Sequence, residues 1–191
     1  MRYKGEQLIS YMNKGNVPIL RRYKGSELVH LSGNMIKAIP TMTGTASPSP
    51  FNVSASNQLS ATYAGWKVFD GNQATYWSTT ANSYPTSSSW PYLVIDLGTA
   101  RKICKISIRA TYAPTAPARF FIQASNSLSS GFTTQYTRTN KVAMEGWSDD
   151  NDTFEFIWTQ DTAYRYWSVT IREVGGGDRL QINNMQFYYL Q

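Results

Sequence analysis

The chain has 191 residues, 41% hydrophobic, 14% aromatic and only 16% charged, with a formal net charge of +6. That length supports one sizeable core with a small appendage. A single histidine and a single cysteine exclude an internal disulfide and a zinc site of the usual kind, and no apolar run approaches the ~20 residues that span a bilayer.

The charge is unevenly placed. Residues 1–50 hold seven basic groups against Glu6 and Glu27, a net of +5, while the other 141 residues hold eleven against ten, a net of +1. The basic groups of the N-terminal stretch are spread out and punctuated by glycine, which suits docking on an acidic protein surface rather than nucleic acid. The same stretch contains a repeat: Arg2-Tyr3-Lys4-Gly5 and Arg22-Tyr23-Lys24-Gly25, each followed by a two-residue spacer and then Leu8-Ile9 or Leu28-Val29. Two copies are too few for a free-standing solenoid, so they pair with each other or with a partner chain. The words are similar to short β-hairpin motifs of phage and prophage structural proteins. His30, in the second copy, reads as a polar strand position. Thr41 to Pro50, rich in Thr, Ser, Gly and Pro, reads as a linker. The division expected is a basic anchor over 1–45 and a folded domain over 46–191.

Phe69-Asp70-Gly71-Asn72-Gln73-Ala74-Thr75-Tyr76-Trp77 follows, and its Asp-Gly pair marks a turn that tolerates φ > 0. Tyr92-Leu93-Val94-Ile95-Asp96-Leu97-Gly98 places Leu93, Ile95 and Leu97 on one side of a strand. Ile103 to Arg109 alternates likewise, with Cys104 sharing the parity of Ile106 and Ile108 and therefore expected in the core. Further strands are expected over Arg119–Ser125, Tyr164–Ile171 and Leu180–Tyr188. Between strands lie turn clusters at Ser87-Ser88-Ser89, Asp149-Asp150-Asn151-Asp152 and Gly175-Gly176-Gly177-Asp178. With no amphipathic helix of ten or more residues, the pattern predicts an all-β sandwich.

These motifs, in this order from about Thr45 onward, resemble the discoidin domain, also called the coagulation-factor type C domain, whose bacterial members are galactose-binding-like carbohydrate modules. The resemblance implies a discoidin-like jelly-roll sandwich and a non-enzymatic role in recognising a cell-surface glycan. It also implies a structural calcium ion, held by Asp70, Asn72 and Thr75, with Asn184 at the position where relatives carry a glutamate. Sugar-binding relatives place an arginine after a tyrosine-x-proline word. Here Tyr112-Ala113-Pro114 is followed by Thr115, leaving Arg109 or Arg119 to substitute.

Sugars present apolar C–H faces and directional hydroxyls, so their sites combine aromatic platforms with fixed donors and acceptors. The candidate ligand-binding residues are Tyr63, Trp66, Tyr84, Tyr112, Arg119 and Trp147, on predicted loops, while Trp77, Trp90, Trp158 and Trp167 read as core or strand-edge residues. Asp149, Asp150 and Asp152, with Glu145 and Glu155 nearby, offer paired carboxylates, but nothing apolar beside them would raise one pKa for acid catalysis. No apolar signal core follows Met1, so the expected setting is a virion surface or the extracellular space after lysis. Residues 1–45 would then contact other virion proteins in an oligomeric assembly, with no membrane insertion.

Overall fold

A computed structural model of the chain describes residues 6–14, 17–24, 27–31, 34–80, 90–110, 112–139 and 153–191. Near the N-terminus, β1 (Glu6–Lys14), β2 (Val17–Lys24) and β3 (Glu27–Leu31) form a three-stranded antiparallel sheet of their own. The two repeats face each other there, for Gln7 and Leu8 of the first pair with Tyr23 and Arg22 of the second.

The rest is the expected all-β sandwich. One sheet has the order β10-β9-β12-β7-β5, from Thr133–Arg138, Pro117–Ser125, Tyr164–Val174, Tyr92–Arg101 and Asn52–Ala55. The facing sheet has the order β11-β8-β14-β4, from Thr153–Ile157, Ile103–Arg109, Asn184–Leu190 and Met35–Lys37. A short pair, β6 (Trp77–Ser78) with β13 (Gln181–Ile182), lies between them in the chain's path and crosses one end.

Period-two alternation builds the core. Leu93, Ile95 and Leu97 of β7, Phe120, Ile122 and Ala124 of β9, and Trp167, Val169 and Ile171 of β12 all turn inward and are buried. From the facing sheet Ile106, Ile108, Met185 and Phe187 meet them, and Trp77 and Trp158 fill the remainder. The indole of Trp77 donates to the Asn57 carbonyl at 2.9 Å, so this buried ring also anchors a loop at the end of the sandwich.

Two expectations change. Cys104 is buried, but in a satellite cluster with Met35, Ile157 and Leu190 rather than the main core. The cause is a bulge: Tyr188 pairs with Lys105 and Tyr189 with Ile103, so β8 carries one extra residue and the parity flips at Cys104. The stretch read as anchor and linker is also partly built into the sandwich. β4 pairs with β14, Ala38, Ile39 and Met42 are buried in the core, and the Met42 amide donates to the Phe69 carbonyl at 2.9 Å. The chain therefore enters the sandwich at about Met35, ahead of the 45/46 division drawn from composition.

Candidate functional site

The end of the sandwich at β6 and β13 gathers the loops that precede β6, join β8 to β9 and join β12 to β13. β6 continues into Thr79, which exchanges hydrogen bonds with Leu180: its amide donates to the Leu180 carbonyl at 3.2 Å, and its hydroxyl accepts from the Leu180 amide at 3.0 Å. The helical turn Ala113–Thr115 is tied in by the Thr115 hydroxyl, 3.0 Å from Gln181 Oε1. Gly177 locks the next loop, its amide donating to the Pro114 carbonyl at 2.7 Å. A Cβ there would come within 2.8 Å of that same oxygen, so glycine is required by the close approach of two backbones.

On this framework Tyr63 and Tyr76 stack with ring centroids 4.9 Å apart and planes 31° from parallel. Burial, and then the hydrogen bond to Tyr63, hold the Tyr76 phenol above its ordinary pKa, while the nearby Arg179 pulls the other way. Arg179 is gripped by its neighbour Asp178, with Nε 3.0 Å from Oδ1 and Nη2 3.1 Å from Oδ2. That pairing, before any electrostatic attraction, lowers the Asp178 pKa. Tyr112 stands exposed where the Ala113–Thr115 turn begins. The arrangement offers an aromatic platform, a bidentate donor and an ionised acceptor at one rim, which matches the face and hydroxyls of a sugar.

The residues singled out from sequence are dispersed. Tyr63 and Tyr112 are at this end. Trp66 lies in the helical turn Gly65–Phe69, half-buried against the core, with Lys67 Nζ 4.3 Å above its ring. Arg119 projects from the outer face of the five-stranded sheet between inward-facing Ala118 and Phe120, and pairs with Glu173 at 3.2 Å. Tyr84 and Trp147 lie outside the described residues, as do Glu145, Asp149, Asp150 and Asp152. Glu155 is described and pairs with Lys105 at 2.8 Å. Tyr76, Asp178 and Arg179 were missed. Tyr76 sits inside a turn motif that hides it, whereas the loop-borne Asp178-Arg179 pair directly after three glycines is a usable signal.

The turn expected to hold calcium closes on itself. Asp70 accepts from the Asn72 amide through Oδ1 at 2.8 Å and from the Thr75 hydroxyl through Oδ2 at 2.6 Å. The Asn183 amide nitrogen donates to the Gln73 carbonyl at 3.2 Å and reaches the Thr75 carbonyl at 3.5 Å. Asn184, the residue expected to complete the shell, instead lines a cleft on the flank of the sandwich together with Gly71. As folded, Asp70 accepts two hydrogen bonds and the Asn183 amide nitrogen faces the loop carbonyls, so the turn's hydrogen bonds are closed among its own residues and Asn183.

The two antiparallel sheets packed as a sandwich place the chain among discoidin-like folds. The chain belongs to the F5/8 type C domain family, whose pattern matches residues 52–183. Among solved structures it is similar to chitosan-binding module 1 from a chitosanase/glucanase of Paenibacillus sp. IK-5, at 18% identity and a TM-score of 0.59, covering 80% of this chain and 98% of that one. It is also similar to the family 32 carbohydrate-binding module of Clostridium perfringens NanJ in complex with galactose, at 21% identity and a TM-score of 0.57, covering 72% and 93%. A third likeness is to a family 32 module of a C. perfringens family 89 protein in complex with GalNAc-β-1,3-galactose, at 12% identity and a TM-score of 0.55, covering 72% and 94%. At these identities the likeness is one of fold. No curated protein matches the chain.

Proposed function

We propose that the chain is a non-catalytic glycan-binding module whose loop end holds a neutral sugar between the Tyr63–Tyr76 platform and the Asp178–Arg179 pair. The observation that carries this reading is the stacked tyrosine pair next to a side chain already held as a bidentate donor, since holding the guanidinium in place before binding lowers the entropy cost of ordering it. The fold supports it: three of the solved neighbours are named as chitosan-binding or as complexes with galactose-containing sugars. Tyr112, at the same end, extends the platform.

For the setting we infer a phage or phage-like particle, in which the β1–β3 sheet with its paired repeats attaches the module to other virion proteins. A second reading, an accessory module of a carbohydrate-active enzyme, is favoured by the chitosanase/glucanase from which one neighbour derives. Titration of the full chain against an array of neutral galacto- and glucosamine-oligosaccharides tests the binding reading. Micromolar to millimolar binding, insensitive to salt, is expected, and Tyr76→Ala and Arg179→Ala should each weaken it about tenfold. Binding that survives both substitutions would move the site elsewhere; no binding to any neutral oligosaccharide would leave the sandwich as a subunit-contact domain.

A further inference from the structure

The flank of the sandwich on the side of β4 and β5 opens into a cleft of about 470 Å³, walled by Pro40, Thr41 and Phe51 on one side and by β14 on the other. Its charge is one-sided. Lys37 and Arg101 line it and no Asp or Glu does. Among the described residues neither cation has a carboxylate partner. Arg101 lies with its guanidinium 4.6 Å over the ring of Tyr189. A guanidinium over an aromatic face still has several N–H donors to offer a ligand. Lys37 pairs across the strands with Tyr188, and Arg101 covers Tyr189, the next residue and on the other face of β14, so the two cations reach the cleft from either side of that strand. Asn184 adds an amide and Thr41 a hydroxyl.

The frame is stiff. Gln186 clamps the opposite wall, donating from Nε2 to the Ile39 carbonyl at 2.8 Å and accepting from the Ile39 amide at 3.3 Å. Ile39 itself is buried, so the wall is set by the core rather than by a free loop. Lys37 also belongs to the stretch of sequence that carries most of the chain's excess positive charge.

We propose that this flank cleft is a second saccharide site, selective for an acidic sugar, with Arg101 and Lys37 binding its carboxylate or sulfate and Thr41 and Asn184 its hydroxyls. The charge complement decides the anion, and the tyrosine-lined, partly polar wall favours a saccharide over a bare ion. The proposal does not depend on the loop-end site, and the two use different side chains.

The test is an NMR titration of the full ¹⁵N-labelled chain with an oligogalacturonate, a sulfated galacto-oligosaccharide, a neutral galacto-oligosaccharide of the same length, inorganic sulfate and a single-stranded oligonucleotide. Shifts from an acidic oligosaccharide are expected at Lys37, Arg101 and Asn184. The carboxylate and sulfate arms tell which anion is preferred. Arg101→Gln and Lys37→Gln should each weaken the binding about tenfold, and Arg179→Ala should leave it unchanged. Lys37 is exposed on a short edge strand, so its variant keeps the test open if Arg101→Gln perturbs folding. Three results would overturn the proposal: no shift with either acidic oligosaccharide, equal shifts with the neutral one, or acidic binding that both variants retain. Sulfate binding as tightly as the oligosaccharides would remove the saccharide from it, and tighter binding of the oligonucleotide would replace it with nucleic acid.

Discussion

The chain contains two aspartate-glycine segments with related local bonding, the turn Asp70-Gly71-Asn72 and Asp96-Leu97-Gly98 within β7, and they are held very differently. In each, the aspartate accepts the amide two residues on, at 2.8 Å for Asn72 and 2.7 Å for Gly98, and in each a glycine holds a positive φ, 73° at Gly71 and 72° at Gly98. The first turn is held mainly by near neighbours in sequence, Thr75 and Lys67, with one long-range tie to its loop, from the Asn183 amide to the Gln73 carbonyl. The second is tied across the sheet: Arg165 of β12 donates to both Asp96 oxygens, at 2.7 and 2.8 Å. The same local chemistry thus serves as a loop fastener in one place and as a joint between strands in the other. Long-range partnership, more than turn type, sets how much the fold depends on it.

Among single substitutions, a large difference is expected between the two glycines. A Cβ on Gly98 would enter the Pro50 ring, whereas one on Gly71 would meet Thr41 Cγ2 at an ordinary 3.6 Å. Both substitutions force a residue with a Cβ into the left-handed region at a cost of about 1–2 kcal/mol. Only Gly98→Ala adds overpacking, typically another 1–3 kcal/mol. Thermal unfolding should therefore show Gly98→Ala lowering the melting temperature at least twice as far as Gly71→Ala. Equal shifts would mean that Pro50 moves aside for the added Cβ.

Pro50 belongs to the segment that composition had marked as a linker, which leads to a second comparison by truncation. Removing residues 1–33 leaves β4, Ile39 and Met42 in place, while removing 1–45 strips all three from the core. Loss of two fully buried side chains exceeds the typical 2–5 kcal/mol for one large-to-small core change. Cooperative unfolding should survive the first cut and be lost or strongly weakened by the second. A fragment over 46–191 that melts like the full chain would show that β4 only decorates the sheet edge.

The strands were legible in the sequence because alternation is a local signal: Leu93, Ile95 and Leu97 needed no partner to be recognised, and Trp77, Trp158 and Trp167 were correctly given to the core. What escaped was non-local. β4 is three residues long, too short to alternate. The Cys104 bulge exists only relative to the β14 register. Arg165 sits 69 residues from Asp96, and Asn183 lies 110 from Gln73, so neither contact could be read from a motif. The sugar-site candidates suffered most, because aromatic residues in loops are common and only the fold selects Tyr63 with Tyr76 while Lys67 covers Trp66.

The joint at Asp96 also has a pH signature. The hydrogen bond from Arg165 lowers the Asp96 pKa, burial opposes this, and the Gly98 amide adds to the lowering. A carboxylate depressed in the folded state stabilises above its unfolded pKa, about 3.9, and loses that contribution as pH falls through its folded value. Asp96→Asn is expected to lower the melting temperature by about 2–4 °C at pH 7, a modest loss because solvent reaches Arg165. The difference from the parent should shrink as pH drops below 4. A difference that stays constant down to pH 2 would assign the loss to geometry rather than to charge.

The smallest effect is expected where the resemblance implied an ion. Any ligand that binds only the folded state raises its melting temperature by an amount that grows with the logarithm of ligand excess, so a resident calcium would make the chain sensitive to chelator. With Asp70 accepting from Asn72 and Thr75, and Asn183 occupying the Gln73 carbonyl, the turn has its hydrogen bonds without a cation. The melting curve should therefore be the same in excess chelator and in millimolar calcium. Asn183→Asp replaces the amide donor with a second carboxylate facing the loop carbonyls. It should cost stability in chelator, by roughly 1–3 kcal/mol for the buried oxygens left without a donor, and regain part of it in calcium. If the unaltered chain itself loses melting temperature on chelation, Asp70 is a ligand, and its turn is held by an ion as Asp96 is held by Arg165.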